Sequence, residues 1–321
     1  MSVAFGFTIP QRGAFIGVAP LGELLELAPM AEASRVFDSV WVGDSLIAKP
    51  RPESIALLGA LTAMTDALTL GVGCMASFTV RDPVTFAYQW ATLDQVSGGR
   101  MLLAACTGII PGKSREEGTH FGGIRDLDRP ALLEENIGLC RELWTGETVD
   151  FTGRFHSYKG LQIQPTPMQD PCPIWIAANP APGRYFARSM KRVATIADGF
   201  QTCVMSPDGL RAMTLELATH LTAVGRDPSS FPVMAYHNIN IGPDRDECLA
   251  ESKRFLDAYY GPIFDKSKIE SWTAAGTPQQ CVEHLSDLAD QGAKSITLRC
   301  TSWDQVGQLR RLSEEVIPAM A

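Results

Sequence analysis

Residues 68–108 read LTLGVGCMASFTVRDPVTFAYQWATLDQVSGGRMLLAACTG. Residues 68–74 are a short apolar run bounded by turn residues, which suits a buried strand. Asp82-Pro83 then opens an amphipathic helix. Asp caps it, Pro occupies the first turn, and Val84, Phe86, Ala87, Trp90, Ala91, Leu93 and the 94–96 stretch give the apolar face. Ser97-Gly98-Gly99 ends that helix, and residues 100–105 form a second apolar strand. Strand, helix, strand, with both strands apolar along their length, is the pattern of a parallel unit covered on both faces. Each strand runs into a loop of small residues at its C-terminal end, at 73–77 and at 106–108. Parallel α/β folds place their ligands on such loops.

The same alternation extends in both directions. Residues 3–9 read as a first strand, 21–37 as a helix interrupted or started near Pro29, 39–43 as a second strand and 53–65 as a second helix. After 108 comes a loop rich in glycine and charge to about 128, then a helix over 129–144. A β-hairpin insertion follows over 147–164, then a proline-rich connector over 165–173. Strands at 174–178, 199–204, 233–241 and 294–300 alternate with helices at 182–197, 207–224, 245–259, 277–291 and 305–316. Residues 260–276 read as a second irregular insertion. Eight strands alternating with helices, with no shift of composition between them, predict one domain over 1–321. It is an α/β fold, a (β/α)8 TIM barrel with insertions after strands four and seven. The rival is a doubly wound sheet, because Gly71-Val-Gly73-Cys-Met-Ala76 imitates a dinucleotide fingerprint. That fingerprint has to open a helix, and here Ser-Phe-Thr-Val extends the chain instead.

The chain has 321 residues and a net charge of −8, with no basic stripe, which argues against a nucleic-acid partner. No apolar run reaches a membrane-spanning length and no signal segment precedes the first strand, so no membrane is expected and the expected compartment is the cytoplasm. The eight cysteines show no Cys-x-x-Cys and the five histidines no i, i+4 pair, so no metal site is expected. In a barrel the chemistry lies on the loops after the strands. Those loops offer few acid–base groups: Asp44, His237 beside Tyr236, Arg299, and His120, Glu116 and Glu117 in the charged loop. A wall of Gly, Ala and Thr with little proton-transfer machinery suits a cofactor that brings its own chemistry. For His237 the alternative is a satisfied core histidine.

Leu70-Gly71, Arg81-Asp82-Pro83 and Ser97-Gly98-Gly99-Arg100, at this spacing, resemble the bacterial luciferase-like flavin- and deazaflavin-dependent oxidoreductases. The resemblance runs from Phe5 to about Pro318. It implies a monooxygenase that binds reduced FMN and reacts it with oxygen to oxygenate a small organic substrate. A separate flavin reductase and a homodimeric assembly come with that reading. The alternatives are hydride transfer with the deazaflavin coenzyme F420, and a non-catalytic flavin-binding subunit.

The resemblance also assigns positions. Gly73–Cys74 matches a strand-end bulge, with a non-proline cis peptide, that backs the flavin-type ring beside Ala76; an ordinary glycine turn is the alternative. Cys106 matches a reactive thiol near the flavin, or is a buried inert cysteine. Thr107 stands where luciferases carry an arginine for the FMN phosphate. Asp44 matches the first member of an Asp-His pair whose histidine is Ser45 here, and it either binds the edge of the cofactor ring or caps a helix. The glutamate that follows Thr-Gly in the deazaflavin sugar-phosphate dehydrogenases is Ile109. Both residues of that subgroup's acid–base pair are therefore missing. Ala178, Asn179 and Pro180 match a small-residue loop whose backbone holds a phosphate, helped by Arg184 or Arg192, with Thr202 and Cys203 in the same cofactor wall. Cys106, His237 and His120 are the catalytic candidates. Residues 115–128 and 260–276 are expected to act as lids.

Overall fold

The computed structural model describes residues 3–108, 113–179 and 184–320. The described strands are β1 (Ala4–Thr8), β2 (Ser39–Val42), β3 (Thr69–Met75), β4 (Met101–Ala105), β5 (Val149–Thr152), β6 (Ser157–Leu161), β7 (Ile174–Ala177), β8 (Gly199–Cys203), β9 (Val233–Ile241), β10 (Thr273–Gly276) and β11 (Ser295–Cys300). The helices are α1 (Leu21–Leu25), α2 (Leu27–Ser34), α3 (Ser54–Met64), α4 (Pro83–Ser97), α5 (Ser114–His120), α6 (Arg129–Leu143), α7 (Arg184–Ile196), α8 (Pro207–Ala223), α9 (Arg245–Tyr260), α10 (Lys266–Ser271), α11 (Pro278–Asp290) and α12 (Gln305–Arg311). The topology is that of a (β/α)8 barrel, closed and parallel. No helix among the described residues is long and apolar enough to cross a membrane.

The chain groups into two compact units, one of Met1–Trp41 with Ile176–Ala321, the other of Val42–Trp175. In the first unit β1 lies parallel to β11, Phe7 opposite Leu298, and to β2, Phe7 opposite Val40. Strand β9 is its spine. All nine residues of β9 are buried. Its first half pairs with β8, its middle with β11 and its last four residues with β10. Strand β10 and helix α10 occupy the stretch read from sequence as irregular. Thr273-Ala274-Ala275-Gly276 is too short and its side chains too small for periodicity to reveal a strand. The edge left by the far end of β9 makes it one. Likewise α5 forms inside the charged loop. The helix expected over 21–37 breaks at Glu26 and stops at Ser34, where Arg35 turns left-handed at φ 61°.

In the second unit β3 and β4 are parallel neighbours and β5–β6 is the expected antiparallel hairpin. The family-type motifs do structural work here. Asp82 caps α4 by accepting from the Thr85 amide at 2.7 Å. Gly98 closes α4 in the left-handed region, at φ 72°. Arg100 then turns back to the end of α3, donating to the carbonyls of Thr62, Thr65 and Leu68 and to Thr65 Oγ1. Thr62 lies in the last turn of α3, where carbonyls lack an intrahelical donor, so one guanidinium closes the joint between α3 and β3.

Helix α4 corrects the sequence reading at its C-terminal end. Val96, counted on the apolar face, is exposed, while Asp94 is fully buried. The Asp94 carboxylate accepts from the amides of Met168 and Gln169 at 2.8 and 2.9 Å and from Gln169 Nε2 at 2.7 Å. It pins the proline-rich connector, whose backbone has no strand or helix to satisfy it. Replacing Asp94 with Ala removes the acceptor of the Met168 and Gln169 amides and leaves Gln169 Nε2 with the Met101 carbonyl alone. The expected cost is about 3 kcal/mol, at the upper end for hydrogen bonds to a charged group. Urea unfolding should show a lower midpoint at unchanged slope. A midpoint equal to wild type would remove Asp94 from this role.

Candidate functional site

The C-terminal ends of β3 and β4 carry the unusual chemistry of the second unit. The Gly73–Cys74 peptide is cis, as the resemblance implies. The β3–β4 register slips there: Gly73 lies opposite Ala104 and Met75 opposite Ala105, which leaves Cys74 as the extra residue of a bulge. Asp44 holds the chain that leaves this bulge. Its Oδ2 accepts from the Ser77 amide at 2.7 Å, and its Oδ1 accepts from Ser54 Oγ at 2.7 Å and Arg81 Nη2 at 3.3 Å. Arg81 also donates to Ser77 Oγ and pairs with Glu53. Asp44 is buried and its oxygens are committed, so it neither caps a helix nor offers a vacant base. Ser45, where the Asp-His histidine would stand, gives its hydroxyl to the Lys49 carbonyl.

Cys106 follows β4 directly, and its sulfur lies 2.8 Å from that of Cys74. Cys106 also donates to the Met75 carbonyl at 3.7 Å, which leaves Cys74 as the donor between the two sulfurs. That bond, with burial second, pushes the Cys74 thiol well above its usual pKa. Thr107 is half-buried, and its carbonyl accepts from Thr79 Oγ1 and from Arg129 Nη1. Arg129 is wholly buried. It donates to the Ser114 carbonyl and faces Glu117 at 3.8 Å. Glu117 in turn accepts from the amides of Leu46 and Ala48. The arginine absent at Thr107 is thus not replaced by Arg129, whose charge is spent inside the fold. Gly108, at φ 65°, is a required glycine: a Cβ there would stand 1.9 Å from the Ala76 carbonyl. Ala76 is itself buried beneath that contact.

The first unit holds three separate groupings. Asn179, exposed past β7, clamps the end of β8: its Oδ1 accepts from Thr202 Oγ1 and the Cys203 amide, and its Nδ2 donates to Cys203 Sγ at 2.8 Å. Thr202 also touches Met213 of α8, so its side chain faces the helix layer, whereas the sequence reading placed it in a cofactor wall. Ala178 is half-buried, and its amide donates to the Gln201 carbonyl. Pro180 and Ile109 lie outside the described residues, and Arg192 is half-buried on α7. For His237 the sequence leaves a catalytic residue facing a substrate or a satisfied core histidine. Its Nε2 meets Nε2 of His284 on α11 at 2.8 Å and the ring is 1% exposed, as in the second reading. Strand alternation explains this, because Tyr236 and His237 must point to opposite faces. His284 was missed, although its place beside Cys281, Leu285 and Leu288 on an apolar helix face was a visible signal. Arg299, also wholly buried, donates to Asn238 Oδ1 and Tyr260 Oη and lies 4.9–5.3 Å from the rings of Tyr236, Tyr259, Tyr260 and Trp272. Those faces compensate a cation that has no carboxylate partner among the described residues. His120 is exposed on the last turn of α5.

The strand-end surface of the second unit therefore presents Gly73, Cys74 and Thr107, all half-buried, small and uncharged. The charges behind it, Asp44, Arg81, Arg129 and Glu117, are engaged with one another or with backbone. Among the described residues, these three give the strand ends small, uncharged side chains of the kind a flat ring can lie against.

A family model described as luciferase-like monooxygenase matches residues 3–295. Among curated relatives, F420-dependent glucose-6-phosphate dehydrogenases from Nakamurella multipartita and Mycobacterium avium are each 27% identical. The alignments cover 93% of this chain and 92% and 94% of theirs. Among solved structures, an F420-dependent secondary alcohol dehydrogenase in complex with an F420-acetone adduct superposes with a TM-score of 0.83 at 18% identity, covering both chains fully. A monooxygenase from Streptomyces bottropensis superposes at 0.81 and 18%, covering 99% of this chain and all of the other.

The His237–His284 pair gives the fold a pH dependence. Burial, then the neighbouring ring, holds His237 well below its usual 6.5, and burial lowers His284 as well. Below pH 6.5 the unfolded chain binds protons that the folded pair refuses. Stability is therefore fully present above that pH and is lost as pH falls, by up to about 1.4 kcal/mol per pH unit for each histidine. Denaturant midpoints measured from neutral to mildly acidic pH should fall more steeply in wild type than in a His237→Gln/His284→Gln double variant. Parallel curves would contradict this reading.

Proposed function

The chain belongs to the luciferase-like monooxygenase family, and we propose that within it this protein is an oxidoreductase that moves a hydride between coenzyme F420 and a small hydroxyl or carbonyl substrate. The observation that carries this reading is the naming of F420 in relatives aligned over 93% of the chain. The first reading from sequence, reduced FMN with oxygen, has weaker support. Its phosphate arginine is Thr107, and Arg129 is committed to buried partners.

In this proposal the ring of F420 rests on the Gly73–Cys74 edge with Thr107 beside it. When bound, F420 supplies the hydride acceptor or donor. The chain's own contribution is to hold that edge still. Asp44 fixes Ser77 and hence the exit from the bulge, and Arg129 fixes the carbonyl of Thr107. A small, rigid, uncharged ledge orients a ring without competing for its polar edge. Glucose 6-phosphate, the substrate named for the relatives, is not the substrate proposed here. The sugar-phosphate subgroup's histidine is Ser45, whose hydroxyl is bound to Lys49, and its glutamate is Ile109.

Equilibrium titrations with F420 and with FMN, followed by anaerobic turnover of F420 with secondary alcohols and with glucose 6-phosphate, test the reading. F420 should bind at least about tenfold more tightly than FMN, a difference of about 1.4 kcal/mol. It should be reduced by an alcohol without oxygen. Tighter binding of FMN, with oxygen consumed in step with substrate, would return the protein to the monooxygenase reading.

A further inference from the structure

We propose that Cys74 and Cys106 are a reversible thiol–disulfide pair that hydrogen peroxide closes at the ends of β3 and β4. The pairing stands on sulfur geometry and not on which cofactor is bound.

The bulge creates it. Because Gly73 and Met75 take consecutive partners on β4, Cys74 has no residue opposite and its side chain comes level with Cys106, one position past the strand. The Cys106 amide stays bonded to the Met75 carbonyl, which ties Cys106 to the residue after Cys74. The sulfurs stand 2.8 Å apart as thiols, against about 2.05 Å in a disulfide. No loop has to close to bring them together.

The short sulfur–sulfur distance, with one half-buried member, sets this pair apart from the buried core cysteines. All eight are free thiols. Cys140 and Cys300 are wholly buried, and burial pushes their thiols far up in pKa, which makes them inert core residues. Cys74 is half-buried, within reach of a molecule as small as a peroxide.

The chemistry balances without a further reactant. One thiol takes an oxygen from hydrogen peroxide, becomes a sulfenic acid and releases water. The second thiol attacks that sulfur, the S–S bond forms, the S–O bond breaks and a second water leaves. Two electrons pass from the sulfurs to the peroxide, and both thiol protons leave in water. A dithiol reductant reverses the step by exchange.

The test uses the full-length protein, treated with hydrogen peroxide, alkylated under denaturing conditions and digested for mass spectrometry. The expected result is a cross-linked peptide joining Cys74 to Cys106 and an intact mass lower by two hydrogens. Dithiothreitol should restore both. In Cys106→Ser, with its fold checked by circular dichroism, the cross-link should be absent and Cys74 should appear as an oxygenated sulfur. Wild-type protein in which both cysteines remain alkylatable would overturn the proposal. So would separate sulfinic acids, or pairing with a different cysteine.

Discussion

The buried carboxylate of Asp44 is the constraint on which the rest of the second unit depends. It follows β2 and accepts from the first residue of α3 and from the backbone that leaves the β3 bulge. Arg81 completes the set from the turn before α4. A carboxylate taken out of water has to find donors for its oxygens, and here they come from the start of α3 and from the Ser77–Arg81 turn. The position of the bulge is therefore fixed by a polar network beneath it rather than by the residues of the bulge itself. Arg129 does the same for the neighbouring strand end, tying the Thr107 carbonyl to Ser114 and Glu117.

The two networks explain why the strand-end surface is so plain. Among the described residues, Asp44, Glu117 and Arg129 are engaged with backbone and Arg81 with Asp44, Glu53 and Ser77, which leaves an uncharged edge of Gly73, Cys74 and Thr107. Among the described residues, that edge shows no acid, base or nucleophile in a usual catalytic arrangement beyond the two adjacent thiols. That composition suits a protein whose reaction is done by a bound ring and whose own work is positioning.

Much of this was legible in the sequence because it depends on local spacing. The apolar runs at 68–74 and 100–105, the Asp82-Pro83 start and the Gly98-Gly99 stop specify strand, helix and strand without reference to distant residues. What stayed hidden depends on partners far along the chain. Asp94 reads as a polar break in an apolar face, and only the connector at Met168 and Gln169 gives it a reason to be buried. His237 reads as a residue at a strand exit, and only His284, 47 residues later, shows which way it faces. Arg129 opens a helix and would pass for a solvated cation, yet it is among the most buried side chains in the protein. Strand β10 carries no periodicity and exists because β9 runs on past β11.

The central claim is that the Gly73–Cys74 edge seats the cofactor ring. Gly73→Val tests it most directly, since it adds a branched side chain at the residue this account places against the ring. Wild type and variant are titrated with oxidised F420, and their folds compared by circular dichroism and thermal melting. The account predicts a variant that melts as a folded protein yet binds F420 at least about 100-fold more weakly, a loss of about 2.7 kcal/mol. A folded variant with wild-type affinity would contradict it.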